Sequence, residues 1–140
     1  MSRIRPLFSA SWRRCHPDWE YERWDGARCR ALVHERYPRV EPAFDELSFN
    51  VQRADAIRYL ILHALGGVYA DFDVECLRPF GPLLGEAGFL GAIEPRAHEH
   101  YLGARNVLSN AVLASAPNHP VIGSVVEALL GPRRRIDVHR

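Results

Sequence analysis

Two aspartates one residue apart, Asp71 and Asp73, close the run Gly66-Gly67-Val68-Tyr69-Ala70-Asp71-Phe72-Asp73. In an extended segment alternate side chains share a face. Tyr69, Asp71 and Asp73 are therefore expected together on one side, with Val68, Ala70 and Phe72 turned to the core. Carboxylates ~6.6 Å apart at one strand end repel each other unless something positive lies beside them. Hard oxygen ligands of this kind suit Mn2+ or Mg2+, which usually complete their shells with water and phosphate oxygens. A solvated strand end would show the same pair, so Asp-x-Asp alone is a weak signal.

The element that must position these acids precedes them. Val51 to Leu65 contains no proline or glycine; Asn50 before it suits an N-cap and Gly66 a C-terminal stop, so Val51 to Leu65 is expected to be helical. At about 100° per residue, Val51, Ala54, Arg58, Ile61, Leu62 and Leu65 fall on one side with Asp55 at its edge. Arg58 thus sits within an apolar stripe, where a guanidinium without a partner is costly. Asp55, three residues earlier, is close enough to pair with it or to share a ligand, whereas Arg53 belongs to another face.

Taken together, Arg53-x-Asp55-x-x-Arg58-Tyr59, six residues, then Gly66-Gly67-x-Tyr69-x-Asp71-x-Asp73 resembles the signature of the DXD-containing sugar transferases of glycosyltransferase family 32. That family includes fungal α-mannosyltransferases and is similar to the sugar-transferring domain of large clostridial toxins. The resemblance implies an α/β fold with a GT-A-like nucleotide-sugar-binding sheet flanked by helices. It also implies a nucleoside-diphosphate sugar donor, Mn2+ or Mg2+ as cofactor, and hexose transfer, possible mannosyl transfer included, with retention at the anomeric carbon.

Within it Asp73 would hold the metal, with Asp71 contacting the ribose or sugar directly or through the metal's water shell. Asp55 would accept bonds from sugar hydroxyls, Arg58 would face the sugar-diphosphate, and Tyr69 would touch phosphate or sugar. Ser109-Asn110-Ala111 and His119-Pro120 look like further family motifs, Asn110 reaching the donor sugar and His119 anchoring a helix start. The family's usual opening Ile-Pro-x-x-Ile-His segment and a further C-terminal segment have no counterpart, which implies a shortened core. The alternative is a catalytically inactive binding module on the same fold. The acceptor, whether sugar, lipid or protein, is left open.

The remaining sequence narrows the choices. With 140 residues and 47% hydrophobic content, one core and one folded unit are expected. A net charge of +1 gives no general attraction to nucleic acid or anionic membrane. All 18 basic residues are arginine, and the absence of lysine argues against a haloacid-dehalogenase-like phosphohydrolase reading of Asp-Phe-Asp-Val, since that chemistry needs a downstream lysine. Cys15, Cys29 and Cys76 form no Cys-x-x-Cys pair, so neither a disulfide framework nor a zinc knuckle is indicated. Without a secretory leader, a spanning apolar run or an Asn-x-Ser/Thr acceptor, the sequence reads as cytoplasmic with no transmembrane segment.

Residues 1–17 are expected to be an irregular lead-in with a short helix near Phe8 to Arg14, residues 18–130 the core, and 131–140 a basic flexible tail. Within the core, Asp18 to Trp24 is expected as an aromatic-rich strand and Ala27 to Tyr37 as a helix. A short helix follows over Pro42 to Leu47, then a buried strand over Gly88 to Ile93. Glu94 to Gly103 is expected to be a solvated loop, its His98 and His100 forming no metal site. A last helix, His119 to Leu130, would bury Val121, Val125, Ala128 and Leu129. Trp12, Trp19 and Trp24 are expected mainly to pack.

Overall fold

The computed structural model describes residues 5–48, 50–86 and 88–129. These residues form a mixed α/β structure in which three strands make one antiparallel sheet in the order β1-β3-β2. In sequence the elements are α1 (Arg5–Cys15), α2 (Gly26–Arg36), α3 (Glu41–Asp45), α4 (Asn50–Leu65), β1 (Gly67–Ala70), α5 (Gly81–Leu84), β2 (Phe89–Ile93), α6 (Arg96–Leu102), β3 (Leu108–Ser115) and α7 (Pro120–Ala128). The expected tail, 131–140, lies outside the described residues. No helix among the described residues is long and apolar enough to cross a membrane.

Helix α4 is the hub. It packs against α2, α7 and the sheet, and its buried residues are Ala56, Ile57, Arg58, Leu60, Ile61 and Leu62. That face is broader than the expected stripe, and Val51 and Leu65 are exposed. The stripe rule describes a helix with one covered side, whereas α4 is covered on several. Leu60 and Leu62 join Leu113 of β3, Ile122 of α7 and Val33 of α2 among the most deeply buried side chains. A fully buried leucine stabilises by about 2 kcal/mol, and Leu60→Ala would cost about 3 kcal/mol with its cavity.

The turn from α4 into β1 depends on two glycines. Gly66 has φ +68° and Gly67 φ +94°, a region that disfavours side chains. A Cβ on Gly66 would also lie 2.7 Å from Pro117 Cδ and 2.8 Å from the Ser115 carbonyl oxygen. This sharp reversal sends β1 back along α4 and brings its far end beside Arg58. Gly67 pairs with Ser115 and Ala70 with Val112, and the Asp71 amide extends the contact by donating to the Ala111 carbonyl at 2.9 Å.

Several expectations change. Residues 18–24 form no strand. Their rings make local contacts instead: Trp19 stacks on His16 at 3.9 Å, Arg13 lies 4.4 Å over Tyr21 and Arg28 lies 4.1 Å over Trp24. The aromatic content that suggested a pleat serves these contacts. The opening stretch is helical over Arg5–Cys15, and the expected loop at 94–103 contains α6, whose His98 pairs with Glu94 at 2.8 Å. In α7 the covered side is Ile122, Val126 and Leu129, with Val121 exposed. Apolar residues at 121, 122, 125 and 126 fit two neighbouring stripes, and periodicity does not choose between them.

Candidate functional site

Strand β1 ends at Ala70, and the chain then turns, the Val74 amide donating to the Asp71 carbonyl at 3.1 Å. The expected alternation through Phe72 and Asp73 therefore stops three residues early. Tyr69 and Asp71 share a face, as expected, but it is a covered one: Tyr69 packs against the core while Phe72, expected inward, is exposed. The reason is Arg58, which draws Tyr69 and Asp71 to its own side of the strand.

Arg58 is 3% exposed and binds acceptors from three parts of the chain. Its Nη2 donates to Asp55 Oδ1 at 2.7 Å, and its Nη1 to Asp71 Oδ2 at 3.2 Å and to the Asn110 carbonyl at 2.6 Å. Its Nε donates to the Ala54 carbonyl at 3.2 Å. The guanidinium also lies 5.1 Å from the Tyr69 ring centre, within cation–π range. Asn110 Nδ2 donates to the same Asp55 Oδ1 at 3.2 Å, closing a ring of contacts between α4 and β3. These protein oxygens hold the guanidinium in place. The fork expected to face a diphosphate is occupied by Asp55, Asp71 and backbone carbonyls.

The Tyr69 hydroxyl donates to Asp71 Oδ1 at 3.0 Å. Burial pushes this phenol well above its usual value; Arg58 opposes that shift and Asp71 reinforces it, so Tyr69 stays a neutral donor. Both Asp71 oxygens thus have protein partners, from Tyr69 and from Arg58. Asp73 differs. It is exposed and makes no hydrogen bond or ion pair among the described residues.

This contrast bears on the metal that the Asp-x-Asp pattern implies. No group of three or more His, Cys, Asp or Glu that would hold an ion occurs among the described residues. A Mg2+-like ion bound through one or two carboxylates plus substrate phosphates does not require such a cage. Asp73, a carboxylate with no partner among the described residues and two positions from Asp71, fits that mode.

A cleft of about 1120 Å³ opens between α1 and residues 19–26 on one side and α4 and β1 on the other, and Tyr69, Asp71 and Phe72 are among its walls. A smaller one of about 520 Å³ is lined by Glu94, His98, Tyr101 and Asn110 among others. Asp55, Arg58 and Asp73 line neither. In the smaller cleft the hydrogen bond from His98, then that from Ser109, holds the Glu94 carboxyl below its usual value. His119, expected to anchor a helix start, does so: its Nδ1 accepts from the Val121 amide at 3.3 Å as the α7 cap.

Four residues that motif reasoning passed over grip the loop leaving Asp73. From one face of α1, Trp12 Nε1 donates to the Val74 carbonyl at 2.9 Å and Ser11 Oγ accepts from the Cys76 amide at 2.8 Å. Cys15 Sγ donates to the Cys76 carbonyl at 3.4 Å, and His16 Nε2 accepts from the Phe80 amide at 2.7 Å. Accepting at Nε2 leaves the neutral His16 proton on Nδ1, which lies 3.0 Å from the Trp12 carbonyl. The available signal was the spacing 11, 12, 15, 16 of polar or amphipathic side chains on one helical face.

The class defined by this arrangement is a mixed α/β domain whose Asp-x-Asp loop is fixed by a buried arginine on one side and a helix face on the other. The chain belongs to the glycosyltransferase family described as "Glycosyltransferase sugar-binding region containing DXD motif", which matches residues 7–90. Inositol phosphoceramide mannosyltransferase 1 of Schizosaccharomyces pombe is 35% identical over 123 residues, covering 85% of this chain and 35% of that protein. Mannosyl phosphorylinositol ceramide synthase SUR1 of Saccharomyces cerevisiae is 37% identical over 114 residues, covering 81% and 27%. An initiation-specific alpha-1,6-mannosyltransferase of Candida albicans is 33% identical over 75 residues, covering 51% and 20%. The chain thus spans about a third or less of the length of these curated relatives. No solved structure matches it.

Proposed function

We propose that this chain is the donor-binding core of a metal-dependent glycosyltransferase with a GT-A-like arrangement, moving a hexose, mannose by preference, from a nucleoside-diphosphate sugar with retention of configuration. The observation that carries this reading is the convergence of Asp55, Asp71 and Asn110 on one buried guanidinium, beside a strand end that leaves the Asp73 carboxylate without a partner among the described residues. Mannose is favoured because the relatives above are named for mannosyl transfer. Those named for inositol phosphoceramide favour a glycolipid acceptor of that kind.

Within this reading each residue has a separate task. Breaking the bond between the sugar and the diphosphate builds negative charge on the leaving group, and a divalent ion, when bound, offsets that charge. Asp73, with Asp71 beside it, would hold the ion. Asp55 and Asn110, cross-linked through Asp55 Oδ1, would meet sugar hydroxyls, and Arg58 fixes the angle at which Asp55 and Asp71 are shown. Tyr69 and Arg58 each engage one Asp71 oxygen, so a ligand would meet Asp71 through the lone pairs those bonds leave.

A thermal-shift panel of GDP- and UDP-sugars, with and without Mn2+, tests the proposal, because a ligand that binds only the folded state raises its melting temperature. The expected result is a Mn2+-dependent rise with one nucleotide sugar, GDP-mannose first among them. No shift with any member of the panel would overturn it. A shift without donor hydrolysis would instead leave a binding module on the same fold.

A further inference from the structure

Two thiols meet where α1 grips the loop. Cys15, the last residue of α1, directs its Sγ–H at the Cys76 carbonyl at 3.4 Å, while the Cys76 Sγ–H is turned to the Arg78 carbonyl at 3.1 Å. They lie 61 positions apart in the sequence, yet neighbouring contacts hold both backbones in place. The Cys76 amide is fixed on Ser11 Oγ at 2.8 Å, and the Phe80 amide further along the loop is fixed on His16 Nε2 at 2.7 Å. Cys15 is half-buried and Cys76 buried, while Cys29 packs beside the core from α2. The sugar-transfer reading uses neither member of the pair.

We propose that Cys15 and Cys76 form a disulfide by exchange with a small-molecule disulfide, tying α1 to the loop that leaves Asp73. In the first step the Cys15 thiolate attacks one sulfur of the reagent, forming a mixed disulfide and expelling one small thiolate. The Cys76 thiolate then attacks the Cys15 sulfur and expels the second. Two protons leave the protein, its two thiols are oxidised to one disulfide, and the reagent is reduced to two thiols.

Accessibility sets the order, since solvent reaches Cys15 and not Cys76. Burial, followed by the hydrogen bond with Cys15, pushes the Cys76 thiol up, so the second step is slow at neutral pH and speeds up as pH rises. Closing so long a loop restrains the unfolded chain and makes the oxidised form more heat-stable.

The test incubates the whole chain with oxidised glutathione at mildly alkaline pH, quenches with acid and maps peptides without reduction. The expected result is a Cys15–Cys76 linked peptide with Cys29 still free. The unfolding midpoint should lie about 10 °C above that of the same sample after dithiothreitol. A bridge through Cys29, a glutathione adduct that stays on Cys15, or three intact thiols would each overturn the proposal. Cys29→Ser should keep the bridge, and Cys76→Ser should stop at the mixed disulfide on Cys15. If Cys76→Ser does not fold, the wild-type peptide map decides alone.

Discussion

The Asp-x-Asp loop is held from two sides by different physics. On the α4 side one buried guanidinium gathers Asp55, Asp71 and the Asn110 carbonyl, so the attachment is ionic and concentrated in Arg58. On the α1 side Ser11, Trp12, Cys15 and His16 each make one contact between uncharged groups to residues 74–80, and the load is spread. A charge buried among acceptors fixes geometry tightly but fails as a unit when removed, whereas a row of modest hydrogen bonds loses one increment at a time. The ionic side sets the acids that would face a sugar; the neutral side sets the course of the chain beyond Asp73.

This contrast predicts a graded series. Arg58→Met removes the cation shared by Asp55 and Asp71 and the donors to the Ala54 and Asn110 carbonyls, and should cost about 4 kcal/mol in urea unfolding. Ser11→Ala strands the Cys76 amide and removes a second bond, to the Phe8 carbonyl, and should cost about 2 kcal/mol by the same measurement. Trp12→Phe keeps most of the ring and loses only the bond to Val74, about 1 kcal/mol. Equal losses for Arg58→Met and Trp12→Phe would erase the distinction between the two sides.

The smallest effect is a pH dependence. Burial raises the Tyr69 pKa, so the folded chain holds that proton more tightly than the unfolded one. Its contribution is fully present below about pH 10 and is lost as pH rises through the folded value. Melting temperatures followed above about pH 10 should fall less steeply for Tyr69→Phe than for the wild type.

How far each side could be read in advance follows from the same contrast. Arg58 within an apolar helix stripe, Asp55 three residues before it, the Gly66-Gly67 stop and the two aspartates stand in one short run, so the ionic side was visible in sequence. Helix α4 itself was expected within its observed bounds. The side to which Tyr69 turns was not visible, because alternation assumes a strand that continues, and β1 ends at Ala70. Nor was the α1 grip, whose partners are separated by about sixty residues and carry no charge to mark them. The aromatic run at 18–24 misled for a related reason: composition favours a strand, but a strand also needs a neighbour to pair with.

Asp73 is the residue on which the sugar-transfer reading turns, and Asp73→Ala tests it with little risk to folding because the side chain is exposed and without a protein partner among the described residues. Mn2+-dependent hydrolysis of GDP-mannose should be measurable in the wild type and at least ~100-fold lower in the variant, with the unfolding midpoint unchanged. Equal rates in the two proteins, including no hydrolysis in either, would contradict the account.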